Sequence, residues 1–286
     1  MTPRGYWWAL LLTVMPGCRE ARGPVALGYS ETISDGGRPF LGYYDSSRFR
    51  PLNPSPEATQ DTYIAQADSI LHAFQPGKVV WGHGEAGQDV RIRVDSIHPR
   101  ADYYAPVLDL SIHGANKLEG AALFTSAPLS ITVLKKATAA VPPELDSLLR
   151  IRAETLWARA VEELAPDDRD LRYVLRNPTA IRVEAAPGYL VVRYGMDIKW
   201  GARRLDDRGL MFFIVDHEHR IILSRFGHPE WAPVDDSIVL TVDPRIFFQI
   251  EGDPRVYFAG IHESGWEDFG WAIYDLRTGK TLLQSY

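Results

Sequence analysis

The chain has 286 residues with 31 Lys+Arg against 37 Asp+Glu, a formal charge of −6, and 45% hydrophobic residues. That length and balance fit one large globular domain or two small ones and exclude a chain dominated by disorder. A mildly acidic chain whose nearest approach to a basic run, Lys199–Arg208, is interrupted by Asp206 and Asp207 is a poor candidate for nucleic acid or a broad anionic surface.

Residues 1–17 read as a targeting segment. Arg4 supplies a small positive charge, and the apolar run from Tyr6 to Met15 is too short for a bilayer span, which needs roughly 20 apolar residues. Pro16-Gly17 then precedes Cys18, the only cysteine of the chain, so no intramolecular disulfide is available. The segment resembles the lipobox of bacterial lipoproteins, with Met15 where that family prefers Leu and Pro16 where it prefers a small residue. The resemblance implies diacylation and N-acylation of Cys18 after cleavage, and localisation by a lipid anchor in the bacterial cell envelope. Arg19, rather than aspartate, follows the cysteine, which under the same resemblance favours the outer membrane over the inner.

Residues 18–58 are rich in Gly, Pro, Ser and Arg and read as a tether or irregular segment. Gly42-Tyr43-Tyr44-Asp45 within them suggests that part of it docks on the body. A short helix is expected over about Gln60–Phe74. Residues 59–140 form an N-terminal β-rich region: Val90, Ile92 and Val94, then Leu108, Leu110 and Ile112, then Ile131 and Val133, alternate with polar residues, as half-buried antiparallel strands do.

Residues 141–286 read as a helix plus an antiparallel meander, forming either a second domain or one domain with 59–140. Pro142-Pro143 opens the helix, over about 143–164, with Leu145, Leu148, Leu149, Leu156, Ala160 and Leu164 on one stripe. A short helical turn is expected within Asp167–Asn177. The strands that follow are Ala180–Glu184, Tyr189–Tyr194, Leu210–Asp216, Arg220–Arg225, Ile238–Val242, Ile246–Glu251, Val256–Ile261, Trp271–Asp275 and Thr281–Gln284. Connections this short make hairpins rather than crossovers. The hairpins Met211–Ser224 and Trp271–Gln284 resemble each other, and the second resembles the outer hairpin of a propeller blade. The 179–286 region is too short for a whole propeller. The expected fold is therefore α+β and β-rich: antiparallel, sandwich-like, with one prominent helix.

Three segments carry candidate chemistry. Asp216-His217-Glu218-His219 puts two imidazoles and two carboxylates together; His217 and His219 could ligate zinc, with His262 or Glu263 as a third ligand. The position is also where a hairpin turns, and polar residues are expected there. In 261–271, Glu263, Glu267 and Asp268 lie near His262 and Trp266. Carboxylates beside aromatic faces suit sugar binding, or glycoside hydrolysis at the right separation. Trp81-Gly82-His83-Gly84-Glu85-Ala86-Gly87 lacks the ending of a phosphate-binding loop and reads as a strand connection. Glu154, Glu162 and Glu163 read as a solvated helix face. No nucleophile elbow is found, and no cofactor is expected.

The expectation is a lipid-anchored envelope protein, a non-catalytic binding or structural module whose partner is an envelope protein or a carbohydrate, not nucleic acid. The alternative is an envelope hydrolase, glycosidic or metal-dependent, built from the 216–219 and 262–268 loops.

Overall fold

A computed structural model describes residues 24–30, 42–45, 48–51, 75–101, 106–113, 118, 120–164, 171–200, 203–227, 241–263 and 269–284. The elements in chain order are β1 (Val25–Ser30), β2 (Gly42–Asp45), β3 (Arg48–Pro51), β4 (Val79–Gly84), β5 (Asp89–Ala101), β6 (Pro106–His113), β7 (Ala122–Thr125), β8 (Ile131–Val133) and β9 (Lys136–Ala139). They continue with the helix α1 (Pro143–Leu164), β10 (Leu171–Val183), β11 (Ala186–Trp200), β12 (Arg203–Asp216) and β13 (Ile221–Gly227). The last strands are β14 (Thr241–Ile250), β15 (Tyr257–Glu263), β16 (Phe269–Asp275) and β17 (Thr281–Gln284).

Among these residues the strands form three sheets, in which every pairing is antiparallel. A seven-stranded sheet has the order β3-β2-β1-β7-β4-β5-β6, a middle sheet β17-β16-β15-β14-β8, and a helix-bearing sheet β13-β12-β11-β10-β9. The β-rich α+β expectation holds.

The layering explains the densest apolar runs. A strand covered on one side alternates apolar and polar residues; a strand covered on both sides is apolar throughout. In Ile246-Phe247-Phe248, Ile246 and Phe248 pack toward Leu27, Tyr29, Tyr44 and Leu123 of the seven-stranded sheet. Phe247 packs the other way, with Phe258 and Tyr274, toward Val191, Phe212 and Ile214 of the helix-bearing sheet. The run Met211-Phe212-Phe213-Ile214-Val215 does the same one layer further out. Phe212 and Ile214 meet the middle sheet, while Met211, Phe213 and Val215 meet α1. The two similar hairpins therefore sit in different sheets, face to face. One apolar cluster joins residues 27–44 and 121–131 to residues 246–283, so the N-terminal and C-terminal regions share a core.

The β8–β9 path changes sheets. Val133 pairs with Phe248 at the edge of the middle sheet, and Lys136 pairs with Val183 at the edge of the helix-bearing sheet. Between them the Leu134 amide donates to Phe247 O at 2.7 Å, and the Glu184 amide to Lys135 O at 3.1 Å. One chain segment thus makes the corner of the sandwich.

The helix begins as expected, with Pro143 at its first position, where a missing N–H costs nothing, and Glu144 and Asp146 in the first turn. Its buried row is Leu145, Leu149, Ala153 and Trp157, with Leu156 beside it. Leu148, expected on the buried stripe, is 42% exposed. Trp157 completes the packing instead, against Tyr173 at a centroid distance of 4.8 Å.

Other expectations change. The segment read as a tether supplies β1, β2 and β3, with Leu27, Tyr29 and Tyr44 in the core. Glycine and proline made it look irregular, but sheet pairing with β7 recruits it. The turn expected in 167–177 is, from Leu171 on, the start of β10, held by pairing with the far end of β11. The strands read separately as 238–242 and 246–251 are joined from Thr241 to Ile250, with the register shift at Pro244, where a strand loses an amide. The helix expected over 60–74 lies outside the described residues.

Candidate functional site

Asp216-His217-Glu218-His219 is the β12–β13 turn. Asp216 accepts the amides of Glu218 at 2.9 Å and Arg220 at 3.0 Å on one oxygen, and Arg220 Nε at 2.7 Å on the other. Burial opposes its ionisation, but these hydrogen bonds, from the Arg220 side chain first, hold its pKa below the ordinary value. His219 takes the left-handed conformation at φ 62°, and both His217 and His219 are exposed. No group of three or more His, Cys, Asp or Glu is placed to hold a metal ion among the described residues.

Glu263 and His262 end β15 far from that turn. A Cβ on Gly279, in the β16–β17 turn, would lie 3.1 Å from Ile222 O and Leu223 Cβ, so the two hairpin turns are neighbours. Tyr257 pairs with Asp275 beside that turn, whereas Glu263 pairs with Phe269 at the opposite end. Six residues of strand separate the two ends, about 20 Å. The backbone of Glu263 and His262 thus lies at the other end of β15 from the turn that carries His217 and His219. Trp266, Glu267, Asp268 and Cys18 lie outside the described residues.

Trp81–Gly87 closes β4 and turns into β5, as read from its sequence. His83, 5% exposed, has Nδ1 2.7 Å from Asp89 Oδ1. Glu85 accepts from Lys136 Nζ, which also donates to Arg245 O at 2.8 Å, so this turn clasps the sheet corner. Glu154 and Glu162 are exposed on the helix, as a solvated face requires.

The other buried acids also serve turns. Asp253 accepts from the hydroxyls of Tyr44 and Tyr257 and from the Nε, Nη2 and amide of Arg255. Burial would raise its pKa; the Arg255 side chain, the Tyr257 hydroxyl and the Arg255 amide bring it down to about 2. Asp275 accepts the amides of Arg277 and Thr278 at 2.8 and 3.1 Å. On the helix side, Asp146 accepts from Tyr194 Oη at 2.6 Å and Arg150 Nε at 2.9 Å.

What sequence reading missed lies on the helix-bearing sheet. Val191 faces the middle sheet, so Arg193, Asp197 and Lys199, at even spacing along β11, follow on the same face. Register adds Arg225, in the row Arg193–Phe212–Arg225, and Arg172, directly opposite Lys199. Arg176 lies across Gly195, where a Cβ would come within 3.3 Å of its Cδ, and reaches Asp197 Oδ1 at 2.6 Å. Arg193 and Arg225 are half-buried near the middle sheet, while Arg172, Val174, Arg176 and Lys199 are exposed farther out, Val174 at 50%. The usable sequence signal was the alternation Arg172-Tyr173-Val174-Leu175-Arg176, in which Tyr173 and Leu175 pack toward α1.

No protein-family model, curated protein or solved structure matches the chain.

Proposed function

We propose that this protein is a bacterial envelope lipoprotein, anchored through acylated Cys18, whose layered β body is a non-catalytic binding module. One observation carries the second half. The buried carboxylates Asp216, Asp253 and Asp275 each accept at least one amide of their own turns, while Arg172, Arg176 and Lys199 stand exposed on one sheet face. Acids held in this way are structural acceptors; exposed charge on a rigid sheet is suited to recognition. The roughly 20 Å between the 216–219 turn and Glu263 weighs against a hydrolytic site drawn from both.

The anchor would hold the body close. Val25 is already paired in β1, so seven residue steps from Cys18 span at most about 25 Å. Val25 pairs with Tyr44, whose hydroxyl reaches Asp253, so the leash starts near the buried-aspartate turns. The outer membrane is the favoured location, from Arg19 after the cysteine.

Mass spectrometry of the membrane fraction tests the anchor. A mature N-terminus at Cys18 carrying lipid is expected; a chain retaining Met1, or a soluble unmodified one, refutes it.

A further inference from the structure

We propose that the turn-bearing end of the body, around the start of β1, docks on the anionic phospholipid headgroups of the membrane that holds the anchor, a reading that rests on the acylation of Cys18. The leash fixes the occupant. Seven residue steps join Cys18 to Val25, so Val25 lies within about 25 Å of the acylated residue. Arg48 and Lys78 flank this strand start. Val25, Tyr44 and Phe49 are in register across β1, β2 and β3, which puts Arg48 two strands away, about 10 Å. On the other side, Leu27, Thr125 and Trp81 are in register across β1, β7 and β4. Lys78, just before β4, therefore lies at the same end, again two strands from β1. The middle sheet adds Arg277 and Lys280. Their turn is tied to the β14–β15 turn by the Leu276 amide, which donates to Val256 O at 2.9 Å. Asp253 of that turn accepts from Tyr44, the partner of Val25.

Arg48, Lys78, Arg277 and Lys280 are exposed, and none has an acid partner among the described residues. The neighbouring acids are engaged elsewhere. Asp45 pairs with Arg50 at 2.9 Å and Asp253 with Arg255 at 2.6 Å, while Asp275 is buried on the amides of Arg277 and Thr278. Glu251, exposed in the β14–β15 turn, offsets one of the cations. The leash itself carries Arg19 and Arg22 against Glu20. Val79, 44% exposed beside Lys78, gives the same end an apolar side chain for the interfacial layer. Cations are drawn to an anionic bilayer within about a Debye length, roughly 8–10 Å, which a body on so short a leash reaches. A chain of formal charge −6 is not drawn to such a surface from free solution. Once anchored it is already concentrated there, so a weak contact is enough to select the end that faces the lipid. Docking then carries Arg172 and Lys199 away from the membrane. Tyr189 pairs with Asp216 at the turn end, and Lys199 lies ten residues further along β11, about 33 Å.

The test inserts the protein, purified from membranes, into vesicles of phosphatidylcholine and phosphatidylglycerol. A water-soluble amine-reactive reagent then labels the lysines, read by mass spectrometry. Lys78 and Lys280 should label at least about fivefold more slowly on these vesicles than in detergent, and should recover in high salt. Lys199, exposed at the far end, should label at the same rate throughout. Arg48→Glu with Arg277→Glu should restore the Lys78 and Lys280 rates, whereas Arg172→Glu should not. Circular dichroism and thermal melts check that each variant is folded, and the lipid and salt comparisons need no variant. No slowing, equal slowing on pure phosphatidylcholine, or equal slowing of Lys199 overturns the proposal. A protein that carries lipid on Cys18 yet leaves Lys78 and Lys280 open refutes this inference alone. A chain without lipid on Cys18 refutes the anchor and this inference with it.

Discussion

The two ends of the middle and helix-bearing sheets treat charge in opposite ways. At one end, the turns after β12, β14 and β16 place Asp216, Asp253 and Asp275 at 5%, 7% and 7% exposure, each surrounded by donors. At the other, β10 and β11 set Arg172 against Lys199 in solvent, with Arg176 and Val174 beside them. A carboxylate that accepts one or two amides of a tight turn replaces the water those amides lose, so its burial is compensated. Cations opposed on a wet face gain nothing for the fold from their neighbours. The first end is organised for stability; at the second, Arg176 pairs with Asp197, while Arg172 and Lys199 oppose each other as like charges.

Substitutions should separate the ends. The largest loss is expected in the shared core beside the turns. Phe258 stacks on Tyr274 at 4.8 Å and is fully buried, so Phe258→Ala should cost about 3–5 kcal/mol in urea unfolding. A loss under about 1 kcal/mol would mean that the sheets do not pack as described.

Next is Asp253→Ala, which leaves the Tyr44 and Tyr257 hydroxyls and the Arg255 guanidinium without their acceptor. About 3 kcal/mol is expected, measured the same way. The pH dependence follows. The folded pKa of Asp253, about 2, is depressed from 3.8, so its stabilisation is complete above the unfolded pKa and is lost as pH falls through the folded one. Wild type should therefore lose about 2 kcal/mol more than Asp253→Ala between pH 5 and pH 2. Parallel acid unfolding curves would remove Asp253 as the cause.

Gly279 has φ +66° and lies against Ile222 O and Leu223 Cβ, so Gly279→Ala strains the backbone and crowds the adjoining hairpin. A loss of about 1–2 kcal/mol by thermal melting is expected. The smallest effect distinguishes the ends most sharply. Arg172→Glu turns a repulsive cross-strand pair with Lys199 into an attractive one, so it should stabilise by about 0.3 kcal/mol, while any substitution of Asp253 destabilises. Chemical unfolding at low salt reads this sign. Destabilisation there would show that the cationic row contributes to folding.

Much of the fold was legible from local pattern. The period-two alternation at Val90–Val94, the turn polarity at 216–219 and the proline start of α1 are local properties, and each lies where the sequence placed it. Elements set by distant partners were less legible. Nothing local marks β1 as a strand rather than tether; its pairing with β7, about a hundred residues on, does. Leu171–Asn177 has charges that suit a helical turn until β11 is present to pair with it. Of the candidate site residues, His217 and His219 could be assigned to a turn from sequence. Their separation from Glu263 could not, because it depends on which ends of two packed sheets coincide.

The sequence by itself determined the antiparallel β-rich class, the helix at 143–164 and the hairpin connections, because these follow from spacing along the chain. Tertiary structure alone decided that the Phe247 and Phe258 strands are covered on both sides, that acids in three turns are buried, and that Arg172 and Lys199 stand side by side. Register across strands and the stacking of layers join residues far apart in sequence, and their energies exist only once the partner strand or sheet is in place.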